Sequence, residues 1–82
     1  MTWLVTFFTH SGAIAFGRRA KGQGLVTKLV PVPRAVSSSC GTGARVECDT
    51  APLALLDEDA DKVFSQTAEG WLLTHDNDLA QA

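Results

Sequence analysis

Only two cysteines occur among the 82 residues, Cys40 and Cys48, eight positions apart. Two are too few for a disulfide framework, and that spacing belongs to no standard metal site. Basic residues are also scarce: seven Lys and Arg against nine Asp and Glu leave a net charge of −2. A nucleic-acid binder calls for a basic face, so that partner class is set aside. No apolar run approaches the roughly 20 residues that a membrane-spanning helix needs. The opening M-T-W-L-V-T-F-F-T lacks the basic start of a secretory signal. The expectation is therefore a cytoplasmic protein, with its thiols reduced and no membrane partner. GxGxxG, a Walker loop, HExxH and paired CxxC are all missing, and no Ser/His/Asp spacing stands out. Nothing here calls for a cofactor or a bound metal.

What is present reads as one small domain spanning 1–82, with an ordinary 45% hydrophobic and 20% charged composition. Residues 3–9 are aromatic and β-branched, which predicts a strand. Thr9, His10, Ser11 and Gly12 make a turn, where Thr9 or Ser11 can cap a helix over 13–21. Ala13, Phe16 and Ala20 fall on one face of that helix, and Gly22 and Gly24 end it. Arg18, Arg19 and Lys21 complement its dipole.

A second strand covers 25–32 and belongs at a sheet edge, because Pro31 and Pro33 cannot donate ladder hydrogen bonds. Alternation over 44–49 predicts a third strand, with Ala44, Val46 and Cys48 facing inward. Leu53, Leu56, Ala60, Val63 and Phe64 keep helical spacing, so a second helix is predicted from Thr50 to about Thr67. The acidic run from Asp57 to Asp61 reads as its solvated face. Residues 71–75 give a fourth strand, and 76–82 a frayed tail.

Strand, helix, strand, strand, helix, strand is the order of the ferredoxin-like split β-α-β fold. The fold class predicted is α+β: a four-stranded antiparallel sheet with two helices on one face. In that layout the turn holding His10, Ser11 and Gly12 shares one end of the sheet with the loop holding Cys40. Strand one is apolar on both sides. Its second side, Leu4 and Phe8, is expected to form an open face covered either by a donor enzyme or by a second copy, a two-fold homodimer being the simplest arrangement.

The loop P-V-P-R-A-V-S-S-S-C-G places Cys40 among polar residues. Free cysteines are usually buried, so one in a polar loop points to reactivity. A thiolate there would gain from a helix N-terminus and from Arg34 and Arg45. Ser37, Ser38, Ser39 and the N–H groups around Gly41 can donate hydrogen bonds to it. His10 and Ser11 are candidate neighbours. Cys48 reads instead as a small buried residue, too far down its strand to reach Cys40.

The segments L-V-T-F-F-T-H-S, K-L-V-P-V-P-R and S-S-S-C-G together resemble the small selenium/sulfur carrier-like domains of bacteria. The resemblance implies a carrier rather than an enzyme, with Cys40 as the carrier cysteine. Its partners would be a sulfur or selenium donor protein and an acceptor protein. Two other classes fit the same fold. One is an interaction or regulatory module in which Cys40 is incidental. The other is a soft-metal chaperone, although such domains usually put paired cysteines in the first turn, where this chain has T-H-S-G.

Overall fold

The computed structural model describes residues 1–33, 36 and 41–77. Along the chain run β1 (Thr2–Phe7), α1 (His10–Gly22), β2 (Val26–Pro31), β3 (Thr42–Glu47), a 3-10 turn (Leu53–Leu55), β4 (Ala60–Thr67) and β5 (Gly70–Asp76). The strands form one sheet in the order β2-β3-β1-β4-β5, and each neighbouring pair is antiparallel.

The first half follows the predicted split unit. β3 lies between β1 and β2 and is antiparallel to both, so β1 and β2 run the same way with α1 as the return. Thr9 caps α1 with extended backbone geometry, its hydroxyl accepting from the Gly12 N–H at 3.0 Å. That cap starts the helix at His10, ahead of the predicted 13. Gly24, at φ 78°, supplies the left-handed residue that ends it.

The second half departs from the prediction. Among the described residues there is one α-helix, not two, and the sheet has five strands, not four. The stretch predicted as the second helix is the 3-10 turn followed by β4. Its apolar residues keep helical spacing, and three facts decide for the strand against that signal. Asp57 Oδ1 accepts from the Asp59 N–H at 3.0 Å, a local bond that competes with helix. Val63, Phe64 and Thr67 favour extended backbone. Ala68 and Glu69 then join β4 to β5, with Gly70 at φ 131° and the Thr67 hydroxyl bonded to the Glu69 N–H and the Gly70 carbonyl. β4 takes the place beside β1, and the predicted fourth strand moves out to the edge.

α1 packs on one face of the sheet. Trp3, Val5 and Phe7 of β1 meet Ala13, Phe16 and Ala20 of α1, with Ala44, Val46, Ala60 and Val63 from the flanking strands. The Phe7 and Phe16 rings lie 5.4 Å apart, tilted by 53°. Burying each ring contributes about 2–3 kcal/mol. On the other face, Leu4 is fully buried and Phe8 half-buried. This corrects the expected open patch and removes the motive for a dimer through it. Leu4 stands across from Phe64 of β4, and Gly43 of β3 has no side chain, leaving room for Leu4 and Val32. The predicted frayed tail differs in its first two residues, the rest of it, 78–82, lying outside the described residues: Asp76 belongs to β5, and Asn77 is buried, its amide donating to the carbonyls of Asp57 and Ala60. No helix among the described residues is long and apolar enough to cross a membrane.

Candidate functional site

The C-terminal ends of β1 and β2, the start of β3 and the first turn of α1 meet at one end of the molecule. Strand direction requires this: β1 leads up into the Thr9 turn, and β2 runs parallel to it. The loop between β2 and β3 therefore leaves and returns at the same end. Its base is closed by the Val32 N–H donating to the Gly41 carbonyl at 2.9 Å. Gly41 adopts φ 74°, which a residue with Cβ rarely takes. Just inside the loop, the Val36 N–H donates to the Pro33 carbonyl at 2.9 Å, and Val36 is buried.

His10 reaches this base. Its Nδ1 lies 3.2 Å from the Thr42 hydroxyl, one residue beyond Gly41. The bond joins the helix N-terminus to the strand that leaves the loop. Ser11 is exposed on the same turn. Gly12 packs tightly below it: a Cβ there would come within 2.6 Å of Asp59 Cβ. So His10, Thr42 and the loop base are neighbours, while the predicted neighbour of this turn, Cys40, lies outside the described residues.

Arg34, Ser37, Ser38, Ser39 and Cys40 lie outside the described residues. Arg45 is described. It is exposed on the face away from α1, paired across the strands with Lys28 of β2 and with Leu4 of β1. Two like charges directly opposite destabilise a sheet slightly.

Cys48 departs from its predicted place. It falls beyond the end of β3, is half-buried, and packs against the edge of the core. Its thiol donates to the Thr50 carbonyl at 2.7 Å, and its own carbonyl accepts from Trp3 Nε1 at 3.1 Å. It therefore sits at the opposite end of β3 from the loop.

Two features were missed by reasoning from sequence. Arg19 does more than complement the helix dipole. It donates twice to the Leu55 carbonyl, at 3.0 and 2.8 Å, pairs with Asp57 at 3.3 Å and overlies the Phe16 ring. The acidic run is likewise not a purely solvated face. Asp61 is buried and pairs with Lys62 at 2.9 Å, and Asp59 packs on the helix start. No signal in the residue order exposes either, since both depend on β4 lying beside β1. Among the described residues, no group of three His, Cys, Asp or Glu could hold a metal ion.

Comparison with known proteins gives one match. The family model described as "Putative Se/S carrier protein-like" fits residues 2–56. That span takes in β1, α1, β2, the cysteine loop, β3 and the 3-10 turn, and it leaves out the β4–β5 hairpin. No curated protein and no solved structure matches the chain.

Proposed function

We propose, from the premise that this chain belongs to the Se/S carrier protein-like family, that it carries a sulfur or selenium atom on Cys40 between a donor and an acceptor protein. The family match carries this reading, because the matched span includes Cys40 and the segments on both sides of it. The helix N-terminus beside the loop base supports it, since partial positive charge and unpaired N–H groups favour a thiolate.

The transfer is an exchange at sulfur. The Cys40 thiolate attacks the outer sulfur of a donor persulfide. The donor's S–S bond breaks, the donor departs as a thiolate, and Cys40 becomes the persulfide. A selenium atom carried as a selenosulfide exchanges in the same way. Nothing is oxidised or reduced overall, so no redox cofactor enters. Such exchange calls for an accessible thiol of suitable pKa rather than a deep cleft. Arg34, Arg45, Ser37, Ser38, Ser39, Ser11 and the Gly41 N–H are supporting groups for the anion in this reading, and His10 is held at the loop base by Thr42.

The test is mass spectrometry of protein purified from its own source, with thiols blocked during lysis. A gain of one sulfur or one selenium on the peptide containing Cys40, absent in Cys40→Ser, is expected. Unmodified Cys40 in protein taken from cells fed sulfide and selenite would overturn the reading. An interaction module would show no such adduct, and a metal chaperone would show bound metal instead.

A further inference from the structure

Most charges among the described residues are sorted across the sheet, Glu47 and Asp49 at the end of β3 and Lys62 on β4 being exceptions. Arg18, Lys21, Lys28 and Arg45 surround β2, at one edge. Asp57, Glu58, Asp59, Asp61, Glu69 and Asp76 gather on or just before β4 and β5, at the other. The two cations that form ion pairs among the described residues, Arg19 and Lys62, are taken by Asp57 and Asp61 of that acidic group. Glu47, near the start of β2, accepts from the Thr2 hydroxyl at 2.6 Å on the face away from α1.

Between α1 and β2 runs a groove of about 200 Å³, lined by Ile14, Gly17, Arg18, Lys21, Thr27 and Leu29. Ile14, Gly17, Arg18 and Lys21 follow helical spacing, so they make one stripe of α1. Gly17 opens the middle of the groove, and Leu29 lies against it. Ile14 and Leu29 are each 37% exposed, which is unusual for apolar side chains this close to a core. Arg18 and Lys21 are exposed and make no ion pair among the described residues. An apolar floor with two unpaired cations and no carboxylate in its lining is complementary to one kind of surface.

We propose that this groove docks an acidic segment of a partner protein. An apolar side chain of that segment seats over Ile14 and Leu29, and flanking carboxylates meet Arg18 and Lys21. Leu29 lies three residues before Val32, at the base of the cysteine loop. At 3.3 Å per strand residue, the docked segment would sit on the order of 10 Å from that base. Its use in bringing a donor or acceptor to Cys40 rests on the carrier reading, but the docking itself does not.

The test is an amide NMR titration of the full chain with a short acetylated peptide in which glutamates flank one leucine. The same peptide with lysines in place of the glutamates is the control. Shifts are expected at residues 14, 17, 18, 21, 27 and 29 with the acidic peptide alone. Affinity should fall about tenfold in Arg18→Glu/Lys21→Glu, and should weaken with salt. Both residues are on the surface, so an unchanged spectrum elsewhere verifies the fold. Leu29→Ser is the second variant and should weaken binding without altering the salt dependence. Shifts at β4 and β5, equal response to the lysine peptide, or no shifts would overturn the proposal. Identical shifts on raising protein concentration without peptide would also overturn it, by assigning the groove to a second copy. Loading of Cys40 from inorganic polysulfide is measured on the same double variant. It should be unchanged, so a failure of docking and a failure of the carrier chemistry read out separately.

Discussion

His10 and Thr42 hold the first turn of the helix against the first residue of β3, with Nδ1 and Oγ1 3.2 Å apart. Thr42 follows Gly41, whose carbonyl closes the cysteine loop. Thr42→Val keeps the β-branched shape and removes the hydroxyl. An exposed bond of this kind contributes at most about 1 kcal/mol, so urea unfolding should change little. Thiol labelling of Cys40 should change more than stability does, since the variant loosens the loop base. Labelling unchanged to within error would deny this contact a role in holding the loop.

Cys48 and Cys40 should behave differently toward thiol reagents. Cys48 is half-buried, with its thiol committed to the Thr50 carbonyl. Cys40 should therefore label faster in the folded protein. Cys48→Ser can make the same bond to Thr50, so it should cost under about 1 kcal/mol in denaturant titration. A loss of several kcal/mol would show that Cys48 is needed for packing.

Gly43→Ala should be strongly destabilising. The new methyl would stand 3.0 Å from the Val5 carbonyl oxygen and 3.1 Å from Leu4 Cδ1. The first is backbone of the central strand and cannot swing away. A cost of about 1–3 kcal/mol is expected, lowering Tm by at least roughly 4 °C in a calorimeter.

Gly17→Ala should act in the opposite direction. A methyl there meets only Leu29 Cδ2, at the ordinary contact distance of 3.7 Å. Replacing glycine inside a helix gains about 1 kcal/mol, so Tm should rise.

Asn77→Asp should destabilise the protein, and more so at neutral pH than in acid. The Asn77 amide donates to two carbonyls, at 3.0 and 2.9 Å, in a buried site. A carboxylate there would face two acceptors, and burial would raise its pKa in the folded state. An acid whose folded pKa is raised carries its full penalty above that folded pKa, and the penalty shrinks to nothing as pH falls from the folded to the unfolded pKa. Urea midpoints at pH 4 and pH 7 check the sign, relative to the parent at each pH.

The half of the chain up to Glu47 was legible because its local signals agree. The Thr9 cap, the Phe16 stripe, the two prolines and the alternation of Ala44 and Val46 each point to the element that forms. The second half was not, because Leu53, Leu56, Ala60 and Val63 keep helical spacing, whereas β4 turns Asp61, Val63 and Ser65 inward, an alternation hidden by its two polar members. The need of β1 for a neighbour on its second side settled the choice, and that is a tertiary effect. The same cause hid the burial of Leu4 and the partners of Arg19. For the site, residue order told which end of the sheet gathers His10 and the loop base. The bond partner Thr42 had no local signal, because it depends on the register between β1 and β3, where Thr6 pairs with Gly43.

The central position of β1 has a consequence for how the molecule assembles. Trp3 meets Val46, and Val5 meets Val63, so the innermost strand finds its partners far along the chain on both sides. Closing loops of that length loses entropy before any sheet contact compensates. Helix α1 can flicker into existence in well under a millisecond, yet it packs chiefly on β2 and β3, and these join the sheet only once β3 has closed onto β1. The rate of folding should accordingly follow the closure of these long loops rather than helix propensity, with the β4–β5 hairpin, local and quickly made, arriving as a preformed unit on the free edge of β1.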